Sequence, residues 1–201
     1  MINYFKYFSI FLISYLIGSI PFAFIIAKLV KGIDIRYTGE GNVGARNVLH
    51  TVGKPYGIIA GFLDFLKGAI VAYFCLMYDL SFPMVVTAGF GVVIGHDFTI
   101  FLKFKGGKGM ASAIGFLFIL FPLPTFASLT LMLIMFSIRK SFHFATSIGI
   151  ASLPIFWMPL LKNSLKEIMF TIGFLSFLGL KRILDEPHMR EIKERTGWNK
   201  G

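Results

Sequence analysis

Cysteine is nearly absent. The 201-residue chain carries one, Cys75, inside an apolar run. No intrachain disulfide can form, and redox chemistry says nothing about the compartment. Acidic residues are scarce: 10 Asp and Glu stand against 20 Lys and Arg, for a formal net charge of +10. No Cys/His set has metal-ligand spacing, so no metal and no other cofactor is expected. No G-x-S-x-G elbow, internal repeat or low-complexity segment occurs, which removes the serine-elbow hydrolases and the repeat architectures.

What the chain has in excess is apolar surface. It is 56% hydrophobic with a mean hydropathy of +0.75. A soluble domain of this length cannot hide that much, so an all-α integral membrane protein is the first reading. Apolar segments run at roughly 7–30, 56–78, 82–102, 110–121, 123–138, 144–161 and 166–182. The first is too long for the core of a signal peptide and lacks a clear small-x-small cleavage site, so it reads as a retained span. The prolines of "FPLP" at 121–124 break the fourth from the fifth.

Basic residues orient the bundle. The connections at 31–55, 103–109 and 139–143 and the tail after 180 hold most of them, while those at 79–81 and 121–124 hold none. Seven helices put every basic connection on the cytoplasmic side, with the N-terminus outside and the C-terminus inside. Lys162 and Lys166 belong to an external connection in this scheme. Ser14, Gly18 and Ser19 share one side of the first helix, where a neighbour can approach closely. Asp64 and Lys67, three apart in the second segment, share a face and read as an ion pair locking helices.

Two glycine-rich basic loops share the cytoplasmic side. "GEGNVGARN" at 39–47 offers tight backbone plus Asn42, Arg46 and Asn47, with His50 just beyond. "KFKGGKGMAS" at 103–112 packs three glycines and three lysines at the start of a helix. It is not a Walker A loop: Leu102 stands where the first glycine belongs, and Gly109 follows the lysine. A nest of amides at Gly106, Gly107 and Gly109, with Lys108 as point charge, can hold a phosphate. His96 and Asp97 lie just before this loop. The 139–147 connection adds Arg139, His143, Thr146 and Ser147, and the tail adds His188. From residues alone the reading stops at a membrane protein with a cytoplasmic anion site facing lipid. Nucleic acid is not an expected partner, because the basic residues are spread over membrane loops and no binding fold is recognisable.

"GSIPFAFIIAK", "GEGNVGARNVLHTVGK", "LDFLKGA" and "GHDFTIFLKFKGGKGMASAIG" follow one another in an order that resembles the PlsY family of bacterial glycerol-3-phosphate acyltransferases. The resemblance covers roughly residues 14–150 and implies one transmembrane acyltransferase domain over 1–201. It implies a seven-helix inner-membrane enzyme, working as a monomer, with its active site on the cytoplasmic side. Such an enzyme moves an acyl group from acyl phosphate to the 1-position of glycerol 3-phosphate, giving lysophosphatidic acid in the first step of phospholipid synthesis. Its partners are those two substrates and the bilayer. By resemblance, Gly106, Gly107, Lys108 and Gly109 bind phosphate. Asn42, Asn47, His96 and Ser147 match family positions. His96, His188 or a substrate phosphate takes the proton from the hydroxyl.

The chain departs from the family pattern at three places. Glu40 replaces the serine of "GSGN", and its charge needs Arg46 or Arg36 beside it. His50 replaces an arginine, a charge that Arg46 can take over. In the tail, His188 and Ile192 fit, Glu191 stands at an asparagine position, and the closing glutamate is missing. A paralogue with another acceptor, or a non-catalytic binder or carrier of a phosphorylated metabolite, stays open at this point.

Overall fold

The computed structural model describes residues 4–160 and 165–198; the side chains of 142, 143, 157–160, 165–168 and 171 are outside that description. Lys162 and Lys200 therefore lie outside the described residues, as do the side chains of His143 and Lys166. Nine α-helices and no strand occur among those described: α1 Tyr4–Ser19, α2 Phe22–Lys31, α3 Ala45–Thr51, α4 Lys54–Met77, α5 Phe82–Asp97, α6 Met110–Leu120, α7 Pro122–Arg139, α8 Phe142–Leu160 and α9 Leu165–Thr196. Among the described residues, each apolar segment read from the sequence is mostly helical. Four helical stretches are long and apolar enough to cross a membrane: Tyr4–Lys31, Lys54–Met77, Phe82–Leu102 and Pro122–Arg139. Met110–Leu120 and Phe144–Phe156 are apolar but shorter.

The first segment is two helices rather than one. Pro21 has no N–H and pushes Ile20 out of the helical region, so α1 stops at Ser19. The break frees carbonyls in an apolar setting, where each needs a donor. Lys67 Nζ donates to Gly18 O and Ile20 O at 2.9 Å each, and Thr99 Oγ1 donates to Ser19 O at 2.5 Å. Proline also starts α7 at Pro122, so "FPLP" separates two helices as the sequence predicts.

Small residues bring the helices together. A Cβ on Gly18 would overlap the Val92 carbonyl, and one on Gly95 would overlap that of Tyr15, so α1 and α5 pack backbone to backbone. Gly68 against Ser112 and Gly115 against Phe65 do the same for α4 and α6. α9 is held to α5 by aromatic contacts instead: Phe90 meets Phe174 edge-on at 5.4 Å, and Phe82 meets Phe170 at 5.8 Å. Those contacts join the apolar core around Val92, Phe116, Leu117 and Phe174. α9 then runs past its apolar part to Thr196, and its end covers the first glycine loop. Ile192 packs on Gly41, Trp198 meets His50 at 5.5 Å, and Thr196 Oγ1 reaches Gly39 O at 3.4 Å.

Candidate active site

A cavity of about 490 Å³ opens between the 40–46 loop, the start of α6, and helices α7, α8 and α9. That volume suits a small-molecule site. Its wall carries the polar and charged residues Glu40, Asn42, Arg46, His96, Lys108 and Arg182. Apolar side chains of α6 to α9, among them Ile114, Leu129, Met132, Ile150, Leu153 and Leu175, make up much of the rest.

Lys108 is mostly buried. Burial pushes its ammonium down to about 8; Glu40 opposes the shift, and Arg182 and Lys193 add to it. An anion beside it relieves that penalty. Lys108 leads into α6, which starts at Met110 without a side-chain cap. Met110 and Ala111 also line the cavity. The first amides of a helix are uncommitted donors, so the positive end of α6 and the ammonium face the same space.

Several amides of the two glycine loops are committed inside the fold. Gly106 N donates to Asp97 O at 3.1 Å, and Gly107 N donates to His96 O at 3.0 Å. These amides pin the loop to the end of α5 and are spent. A side chain on Gly106 or Gly107 would strike the backbone or ring of that helix end, so these glycines serve close packing. Gly109 has φ +64°, and a Cβ there would press on Val93, Asp97 and Leu178; it too is a turn residue, with no place on the cavity wall. In the first loop Gly39 and Gly41 have φ +64° and +69°. The amide of Glu40 is spent on Asn47 Oδ1 at 3.0 Å, and that of Gly41 on Thr38 O at 3.1 Å.

Asn47 is thus a staple and not a ligand. It is fully buried, and its Nδ2 lies 3.0, 2.8 and 3.0 Å from the carbonyls of Ile35, Thr38 and Asn42. Every polar atom of its amide is used within the loop. His50 faces Trp198 and is absent from the cavity wall. His188 is also elsewhere: its Nε2 sits 3.3 Å from Arg36 O and its ring meets Tyr37 edge-on. Arg36 is not the partner of Glu40. It grips Asp34, Nη2 to Oδ2 at 2.6 Å, and that bond holds the Asp34 carboxyl below its usual range. Arg46 pairs with Glu40 at 3.1 Å.

His96 reaches the cavity from inside a buried network. Lys67 Nζ stands 3.1 Å from its Nδ1 and 2.9 Å from Asp64 Oδ1. An ammonium has only protons to offer, so Nδ1 accepts and the remaining proton sits on Nε2. That tautomer makes His96 Nε2 a donor rather than a base, and this nitrogen lies beside Gly107. Asp64 and Lys67 lock helices as the sequence predicts, and the lock extends to the α1–α2 break and to the site.

Asn42, Arg46, His96, Lys108 and Ser147 are brought together on the wall; Asn47, His50, Gly106, Gly107, Gly109 and His188 are not. Thr146, named with the 139–147 connection, is also on the wall, and Arg182 was missed as a site residue. Arg182 carries a readable signal: Leu175, Leu178, Gly179 and Arg182 recur at i, i+3, i+4 and i+7, one face of α9, and all four line the cavity.

Residues 8–188 match the family model described as glycerol-3-phosphate acyltransferase. A protein of that name from Endomicrobium trichonymphae is 42% identical over 192 residues, covering 92% of this chain and 96% of its own. One from Thermosipho melanesiensis is 43% identical over 149 residues, covering 74% and 72%. The crystal structure of PlsY (YgiH), an integral membrane glycerol 3-phosphate acyltransferase, superposes in its glycerol 3-phosphate form with a TM-score of 0.82 at 30% identity, covering 97% of this chain and 96% of that one. Its lysophosphatidic acid form superposes with a TM-score of 0.80, at 30% identity and coverage of 96% and 94%.

Proposed function

This chain belongs to the glycerol-3-phosphate acyltransferase family, and from that premise we propose how its cavity carries out the transfer. The protein is a membrane acyltransferase that acts on glycerol 3-phosphate. The donor we assign is acyl phosphate, and the product is lysophosphatidic acid acylated at the 1-position. The observation that carries the reading is one cavity lined both by cations, Arg46, Lys108 and Arg182, and by apolar side chains of α6 to α9.

The acyl chain lies along Ile114, Leu129, Met132 and Ile150, and the phosphates of both substrates meet Lys108, Arg46 and Arg182. Positioning and charge neutralisation suffice, because a mixed anhydride arrives activated. The 1-hydroxyl oxygen attacks the acyl carbon. The bond from that carbon to the phosphate oxygen breaks, and inorganic phosphate leaves with the electron pair. Lys108 and the start of α6 stabilise the developing oxyanion. The proton of the hydroxyl goes to a phosphate oxygen of the donor. Two contacts support the phosphate over a histidine as acceptor: Lys67 Nζ stands against His96 Nδ1, and His188 Nε2 lies beside Arg36 O.

The basic connections support seven crossings with the N-terminus outside, and a site at the cytoplasmic face of a bacterial inner membrane. Glycerol 3-phosphate reaches this site from the cytosol while the acyl chain stays in lipid. A monomer contains every residue used. The carrier reading loses support because Asp64 and Lys67 are committed to each other and to backbone carbonyls.

The test is phosphate release by the purified protein with palmitoyl phosphate and glycerol 3-phosphate. Release that depends on the acceptor is expected, together with lysophosphatidic acid. No such release would sink the assignment.

A further inference from the structure

Glu40 is a carboxylate in a site built for phosphate. It is 2% exposed and lines the cavity. Its charge is offset by Arg46 Nη1 at 3.1 Å, yet Oε1 has no hydrogen bond of acceptable geometry. Two residues on, Asn42 is 9% exposed, lines the same cavity, and leaves its Oδ1 without a partner. Buried acceptors are nearly always satisfied; Asn42 Oδ1 has no donor, and Glu40 Oε1 has only the Arg46 ion-pair contact, which leaves room for one more donor between them.

The loop that carries them is rigid. Gly39 and Gly41 flank Glu40 with positive φ, its amide is held by Asn47 Oδ1, and Ile192 and Trp198 pack over the glycines. The two acceptors are therefore pre-positioned. A phosphate dianion fills the role poorly, because it has no proton to give and is repelled by the carboxylate. A hydroxyl suits it.

Resting on the acyltransferase reading above, we propose that Glu40, with Asn42 Oδ1 beside it, reads the non-reacting hydroxyl of the acceptor. The 2-hydroxyl donates to Glu40 Oε1, while the phosphate is driven toward Lys108 and Arg182. Glu40 is a specificity residue that selects phosphorylated polyols with a hydroxyl next to the reacting one. It takes no proton in the transfer.

The experiment compares glycerol 3-phosphate with 3-hydroxypropyl phosphate, which keeps the reacting hydroxyl and lacks the 2-hydroxyl. The native enzyme favours glycerol 3-phosphate in kcat/KM by about 10–100-fold, the range expected for a hydrogen bond to a charged group. In Glu40→Ala that preference falls to within about threefold, mostly through KM. Glu40→Gln keeps the shape and gives an intermediate ratio, and it serves if the alanine variant does not fold. An unchanged ratio, or an equal loss of kcat with both acceptors, overturns the proposal. Native turnover of glycerol 3-phosphate is the separate control: its absence refutes the acyltransferase reading, whereas its presence with an unchanged ratio refutes only the role of Glu40.

Discussion

Lys67 Nζ lies 3.1 Å from His96 Nδ1 and 2.9 Å from Asp64 Oδ1. One ammonium thus closes the break between α1 and α2, neutralises a buried carboxylate and sets the tautomer of a histidine on the cavity wall. Removing it leaves Asp64 as an unpaired buried charge. Lys67→Met is expected to destabilise the protein by about 3–5 kcal/mol. A melting temperature in detergent close to that of the parent would contradict this.

The same contact predicts the behaviour of His96. Asparagine places an acceptor near the position of Nδ1, so His96→Asn keeps the bond from Lys67. The loss in kcat is expected to stay below about tenfold, whereas removing a general base costs roughly 10²–10⁴. Steady-state kinetics on the folded variant decide between them.

Lys108 makes the reaction sensitive to alkali. Its ammonium titrates at about 8 in the free protein, below the usual lysine value. The charge that binds phosphate is lost as pH rises through 8, so kcat/KM for glycerol 3-phosphate falls above that pH. Stability moves the other way. The unfolded chain holds the proton more tightly than the folded one, so between the two pKa values stability rises with pH. Lys108→Arg stays charged and should move the alkaline limb upward; a limb unchanged in this variant would assign it to another group.

Asn47 and Arg182 should separate cleanly. Asn47→Ala strips four hydrogen bonds from the 35–42 loop. We expect a loss of about 2–5 kcal/mol, from several buried backbone groups left unpaired. Arg182→Ala is expected to raise KM for glycerol 3-phosphate about tenfold, the size of one charge-assisted contact, with an unchanged melting temperature. Thermal unfolding and KM, measured on both variants, test the division.

Orientation is testable because Cys75 is the sole cysteine. In a Cys75→Ser background, Lys103→Cys should react with an impermeant maleimide in inside-out vesicles and stay unlabelled in right-side-out ones. Labelling from the other side reverses the assigned topology.

The sequence by itself determined that this is a helical membrane protein and roughly where its apolar helices fall, and its motifs pointed to the family. Hydropathy and proline carry that information locally, one stretch at a time. It also pointed to Lys108, Arg46 and Asn42, because charged and amide groups beside an apolar helix have few structural uses. Only the tertiary structure decided which polar residues face the cavity and which serve the scaffold. Asn42 and Asn47 are the same residue type five positions apart, yet one keeps a free acceptor at the site and the other spends its whole amide inside the loop. Gly106 and Gly107 look like an anion nest until the carbonyls of His96 and Asp97 take their amides. Glu40 needs a cation, Arg46 or Arg36, and the fold gives it Arg46 while Arg36 goes to Asp34. In each case the deciding partner is distant in sequence or on another turn. A hydrogen bond is spent once, and where it is spent is set by packing that no local pattern records.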